Sequence, residues 1–455
     1  MVGTELTQQS KATQKRVEEL VALMDTIHGD EEKAVPGVTR FQELYVEIPK
    51  EERVFLFQAL LARFEVHKGD IEEILRAVLE ADEKADPVAW SRLLTGLRRK
   101  LESPRLRAFR NFMNSSGGLK FLLDMRADIL TLQRRSAADL EPLDEQIAHL
   151  FTSWFHQGFL FLNEITQDSP YRTIRFLAQH DMVHPLTNLE DMGHRLGDDR
   201  RCFGLYHRAM PEEPVVFIEV ALTKGITRSI HDVLTDERVA KARKVKADTA
   251  IFYSINNAQN GLAGRGRGKG LVFQVVEALK LSNPEIKNFS TLSPIPGLWT
   301  RYLKLILEGE DGAFTLKRKQ VGDYFSDRAQ QGLLDRVRER TGHRPRDLGQ
   351  ALHSALSDIT WIDDPVYLKL LRKPLRELTY HYIANEKNQH GKILNPVANF
   401  HLGNGAHISP NDVNFAANRH PRGLESSCGM MANYIYSGGW RLNLERSVRE
   451  LLPSF

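Results

Sequence analysis

Only two cysteines, Cys202 and Cys428, occur in 455 residues. That scarcity excludes a disulfide-stapled fold and makes a reducing compartment, the cytoplasm, the expected setting. An excess of charge of one sign is missing too, since 62 Lys and Arg stand against 59 Asp and Glu, a net charge of +3. The balance excludes a globally basic nucleic-acid wrapper and leaves only local basic patches. No apolar run is long and clean enough for a membrane span. The nearest, residues 146–163, has no formal charge but carries His149, Thr152, Ser153, His156 and Gln157, so it reads as a buried helix. Neither a secretory leader, a mitochondrial presequence nor a peroxisomal address is expected from the ends of the sequence.

What is present is a chain with 42% apolar and 27% charged residues, the composition of a folded protein with sizeable cores. Residues 4–165 read as helical throughout. Asp70 followed by Glu73 has the form of a capping box, and Ile71, Ile74, Leu75, Val78 and Leu79 then share one face at the helical period. Asp86-Pro87 and Ser103-Pro104 each pair a capping side chain with proline at the first helical position. An all-helical bundle over residues 1–167 is expected.

The pattern changes at Thr166-Gln167-Asp168-Ser169-Pro170. Residues 215–222 and 249–255 are short apolar runs rich in β-branched and aromatic side chains, the mark of strands buried on both faces. Helical periodicity returns over 271–281 and 367–383, so residues 168–455 read as a mixed α/β second domain and the whole chain as α+β.

Between the second of those strands and the following helix lies a glycine-rich turn containing Gly264, Arg265, Gly266, Arg267, Gly268 and Lys269. Glycines let successive N–H groups turn to one side, and the next helix offers its unpaired N–H groups and positive dipole end. Arg265, Arg267 and Lys269 add cationic donors, so the segment reads as a phosphate cradle. Its form, R-x-x-G-x-G, resembles the pyrophosphate-binding turn of GNAT acetyltransferases, and it is neither a P-loop nor a dinucleotide fingerprint. A plain surface loop and an RGG-like RNA-binding segment are the other readings. Ser254, read as the end of the entering strand, is a candidate to face the same ligand.

Two further residues stand out. Ser293, in Leu292-Ser293-Pro294-Ile295-Pro296-Gly297, falls where a strand-like run ends, beside the crevice where α/β sheets hold ligands. His401 lies between Phe400 and Leu402 and among Asn395, Asn399 and Asn404, amides suited to fixing an imidazole tautomer. From the residues alone, a capping serine and a hydrogen-bonded core histidine explain them better than catalysis does. His184, His207 and Cys428 read as core or supporting residues. His149 and His156 share a helical face without a carboxylate partner, which does not make a metal site.

The segment around Ser293 and residues 394–401 are similar to the two signature segments of malonyl-CoA decarboxylases. Further agreement in the same order comes from His149-Leu150-Phe151-Thr152, Val183-His184-Pro185, Arg200-Arg201-Cys202, Val220-Ala221-Leu222-Thr223, residues 251–255 and Ser427-Cys428-Gly429, with Asn433-Tyr434 beyond it. The resemblance implies a helical N-terminal domain used in self-association, as a dimer or tetramer, and a catalytic domain of GNAT fold. It implies conversion of malonyl-CoA to acetyl-CoA and carbon dioxide with no metal or prosthetic group, and with neither nucleic acid nor membrane as partner. Ser293 and His401 take the catalytic positions, and the loop from Gly264 to Lys269 takes the CoA phosphates. Members of the family commonly carry a less basic loop, some with a carboxylate where Gly266 stands here. A CoA-dependent N-acyltransferase, a non-catalytic acyl-CoA sensor and an RNA-binding scaffold are the competing readings.

Overall fold

The structure, a computed structural model, describes residues 10–29, 31–81, 86–184, 189–234, 246–263 and 271–436. The chain divides into two units, one of residues 1–161, 205–216 and 257–267, the other of 162–204, 217–256 and 268–455.

The first unit is built on eight helices among the described residues: α1 (Lys11–Gly29), α2 (Glu31–Glu47), α3 (Arg53–Arg63), α4 (Lys68–Glu80), α5 (Pro87–Lys100), α6 (Pro104–Asn114), α7 (Gly118–Arg135) and α8 (Glu141–Trp154). Its core is aromatic, with Phe41 edge-on to both Phe112 and Phe121 and Tyr45 edge-on to Phe121. Arg105 is fully buried yet satisfied: it donates to Gln146 Oε1 at 2.7 Å, Leu60 O at 3.0 Å and Glu65 Oε2 at 2.8 Å. The proline starts hold as expected, with Asp86 accepting from the Val88 and Ala89 amides and Ser103 from the Leu106 amide.

Two local expectations are corrected. α4 begins at Lys68, so Asp70 sits inside the first turn and accepts from the His67 amide at 3.3 Å. The apolar face expected there stays partly open: α4 and α5 contain no buried residue, and Leu79 is 79% exposed. The helix expected over 146–163 stops at Trp154. A short 3₁₀ turn carries Gly158, and Leu160–Ile165 form strand β1. The run Phe159-Leu160-Phe161-Leu162 follows that break and has the aromatic and apolar character that suits a pleated sheet.

The sheet runs β1-β2-β3-β4-β5-β9, where β2 is Arg200–His207, β3 Met210–Thr223, β4 Thr249–Asn257, β5 Asn288–Thr291 and β9 Ile435–Tyr436. β4 and β5 are parallel, in register from Thr249 opposite Asn288 to Phe252 opposite Thr291, and the helix Leu271–Ser282 makes the crossover between them. The class is therefore α+β, a helical region followed by a mixed sheet with helices. β4 carries Ala250, Ile251, Phe252 and Tyr253 at 2% exposure or less, which is why its sequence shows no alternation. It continues to Asn257, so Ser254 lies inside the strand and not at its end.

The last ladder bond, Leu292 N–H to Phe252 O at 2.9 Å, closes the pairing of β4 with the chain leaving β5. The chain then joins a second, three-stranded sheet of order β6-β8-β7, formed by Ser293–Pro294, Met431–Ala432 and Val413–Asn414. Ser293 stands at that transfer, just past the carboxyl end of a parallel strand.

Candidate active site

Ser293 and His401, separated by 108 residues, meet. Ser293 Oγ lies 3.2 Å from His401 Nε2, with the two residues 6% and 3% exposed. Several local features bring them together. Gly297, at φ +80°, makes the turn after the two prolines that most residues resist. Asn395 caps the helix Pro396–Gly403 by accepting from the Val397 and Ala398 amides. Its Nδ2 donates to Pro296 O at 3.2 Å, so the cap of the His401 helix is tied directly to the Ser293 turn.

His401 sits among rings. Tyr434 stacks on it at 4.7 Å and 23° between planes, and Phe400 meets it edge-on at 5.0 Å. Its Nδ1 is 2.9 Å from Tyr436 Oη. Burial without a charged partner lowers its pKa to about 3, so the imidazole is neutral at physiological pH. Burial also holds the Tyr434 and Tyr436 phenols above the usual tyrosine range, so both are neutral as well. On the far side of Ser293, Oγ is 3.0 Å from Thr291 Oγ1, which also accepts the Tyr434 amide at 3.0 Å. The result is one continuous chain of hydrogen bonds through Thr291, Ser293, His401 and Tyr436.

Thr291, Tyr434 and Tyr436 received no role from the sequence. Tyr434 fell within a segment shared with the family. Tyr436, two residues on and so on the same side of an extended chain, was the available signal for a second ring.

Ser254 is occupied elsewhere. Its Oγ lies 3.2 Å from Asp181 Oδ1 and accepts from Asn256 Nδ2 at 2.7 Å. Asp181 also pairs with Arg195, which in turn reaches Glu219 Oε2 at 3.5 Å and donates to His184 O at 2.7 Å. Burial, reinforced by the Asp181 charge, pushes the Glu219 carboxyl up to about 8. Buried ionic centres of this kind were not legible in a sequence whose charged residues are mostly exposed. His184, His207 and Cys428 are all buried.

The cradle residues Gly264, Arg265, Gly266, Arg267, Gly268 and Lys269 lie outside the described residues. On the entering side, the fully buried Arg126 of α7 donates to the carbonyls of Gly261 and Ala263, the latter at 3.2 Å, and pairs with Asp144 at 2.7 Å. A side chain at position 261 would collide with the Leu123 carbonyl, so glycine is required where this segment crosses α7.

A mixed sheet that delivers a buried serine to an imidazole at the end of a parallel strand belongs to an α+β enzyme with a polar dyad. Comparison with known proteins supplies the family. The pattern of the malonyl-CoA decarboxylase C-terminal domain matches residues 158–445 and that of the N-terminal domain residues 64–155. The mitochondrial malonyl-CoA decarboxylase of Anser anser anser is 33% identical over 417 residues, covering 89% of this chain and 79% of the relative. That of Mus musculus is 32% identical over 392 residues, covering 85% and 76%. The crystal structure of malonyl-CoA decarboxylase from Rhodopseudomonas palustris superposes with a TM-score of 0.78 at 30% identity, covering 95% of this chain and 96% of that one. The chain belongs to the malonyl-CoA decarboxylase family, and so to the carboxy-lyases.

Proposed function

We propose that this chain decarboxylates malonyl-CoA to acetyl-CoA and carbon dioxide, with Ser293 and His401 as the catalytic residues. The observation that carries the reading is the 3.2 Å contact between Ser293 Oγ and His401 Nε2 just past the end of β5, in a chain of this family.

Breaking the bond between the α-carbon and the carboxylate leaves an electron pair that passes into the thioester carbonyl as an enolate. The thioester is its own electron sink, so the reaction needs neither a metal nor a prosthetic group. Two services remain for the protein. A donor must meet the oxygen where charge grows, worth about a hundred- to thousandfold. A proton must then reach the α-carbon, worth roughly a hundred- to ten-thousandfold. Ser293 donates toward the acyl group. As the new C–H bond forms from its proton, His401 passes a proton to Ser293, and solvent returns to the imidazole the one proton that the reaction consumes. Because His401 is neutral, it serves as a relay and not as an imidazolium acid.

The CoA phosphates are assigned to Gly264, Arg265, Gly266, Arg267, Gly268 and Lys269, a segment that follows β4 and precedes the helix Leu271–Ser282. The tie of Arg126 to Gly261 and Ala263 supports a fixed approach to that turn. Ser254, engaged with Asp181, then acts on the cradle only through the strand it sits in. Self-association of the helical residues 1–167, as a dimer or tetramer, belongs to the same reading, and the open apolar face on α4 and α5 supports it. So does a cytoplasmic setting, argued from cysteine usage. Among the described residues no helix is long and apolar enough to cross a membrane. Localisation of the tagged chain checks the compartment.

Incubation of the pure protein with malonyl-CoA alone tests the activity. Acetyl-CoA and carbon dioxide in equal amounts, without any amine acceptor, are expected. CoA binding with no conversion would replace the decarboxylase by a sensor.

A further inference from the structure

We propose that Thr291 is a positioning residue whose hydroxyl donates to Ser293 Oγ and so turns the Ser293 proton away from β5, to the side of His401 and the acyl group. The inference rests on the Ser293–His401 reading and adds to it the group that sets hydrogen-bond direction.

Thr291 is fully buried at the end of β5. Its backbone is held from both sides: its N–H donates to Tyr434 O at 3.0 Å, and its carbonyl accepts from Asn433 Nδ2, which also donates to Thr227 O at 3.1 Å. β-Branching leaves such a side chain few rotamers. Oγ1 then has two polar neighbours among the described residues, the Tyr434 N–H and Ser293 Oγ, each at 3.0 Å.

Oxygen positions alone do not say which of two hydroxyls donates to the other, but a proton count does. If Ser293 donated to Thr291, both acceptor positions of Thr291 would be filled. Its own proton would then be buried with no acceptor among the described residues, the arrangement folded proteins avoid most consistently. With Thr291 donating, its own proton has a partner in Ser293 Oγ. His401 Nε2 lies 3.2 Å from Ser293 Oγ on the other side. The single Ser293 proton is then turned away from β5, to the side of His401 and the acyl group.

Thr291→Val keeps the side-chain shape and removes the hydroxyl, while Thr291→Ser keeps the hydroxyl. Steady-state kinetics with malonyl-CoA compares them with wild type and Ser293→Ala. Thr291→Val is expected to lower kcat by about tenfold to hundredfold, the usual effect of losing a group that orients a reacting residue, with KM changed less than about twofold. Thr291→Ser is expected to stay within about threefold of wild type. An unchanged kcat in Thr291→Val overturns the proposal. So does a Thr291→Ser variant as slow as Thr291→Val, which would make the residue a packing element. Should Thr291→Val not fold, the Thr291→Ser rate still decides, because its loss contradicts the proposal and its retention sustains it. A fully active Ser293→Ala would instead remove the underlying reading, and an inactive Ser293→Ala beside a wild-type Thr291→Val would remove only this one.

Discussion

An imidazole enclosed by Phe400, Tyr434 and Tyr436 is buried away from bulk solvent, and its pKa falls from 6.5 to about 3. The sign of the linked stability effect follows. Below about pH 6.5 the unfolded chain takes up a proton at His401 that the folded chain refuses. This contribution is therefore fully present above pH 6.5 and lost as pH falls toward 3. Between pH 7 and pH 5 it costs the folded state about 2 kcal/mol. Urea denaturation of wild type and His401→Gln at those two pH values measures it. The variant should lose less stability on acidification by about that amount. Equal losses would mean that His401 is not held neutral. At this scale the sequence singled out the two side chains proposed to react but not the residues that stand beside them. A serine and a histidine announce themselves by type. Thr291 and Tyr436 stand out only through where they sit, which the folded chain determines.

The helix Pro396–Gly403 has eight residues, too few to persist without tertiary support, and it places His401. Asn395 does two things for it, capping its first turn and anchoring that turn to Pro296. Asn395→Ala should cost about 1–2 kcal/mol for the lost cap and lower kcat more than it changes KM, since His401 would lose register with Ser293. Thermal unfolding and kinetics together check this, and an unchanged kcat would show that the helix is placed by other contacts. Elements with a strong period or a proline start, such as the helices at Pro87, Pro104 and Leu271, were legible because local chemistry fixes them. β1 was not, because residues 146–163 form one uncharged run in which only Gly158 marks the change from helix to strand. Nor was the α4 start. Asp70 can serve the first turn from within it as well as cap it from outside, and the two placements share one sequence pattern.

At the scale of the molecule, collinear agreement of segments from 149 to 434 identified the family before any coordinates did. Burial on both faces made β3 and β4 readable as strands. What the sequence could not provide was the meeting of residues 293 and 401, which depends on the chain leaving β5 for a second sheet. It likewise could not show the buried centre of Asp181, Arg195 and Glu219, whose members share no motif spacing and are charged like most surface residues. The cradle was legible as a composition of glycine and arginine, and its role stands as a proposal about CoA.

The central claim is that one hydroxyl and one neutral imidazole carry the decarboxylation. Turnover of malonyl-CoA by Ser293→Ala and His401→Ala, measured beside their CoA dissociation constants, tests it most directly. Each variant should lose at least about a hundredfold in kcat while binding CoA as wild type does. A near-wild-type rate in either, with the protein folded, would contradict the account.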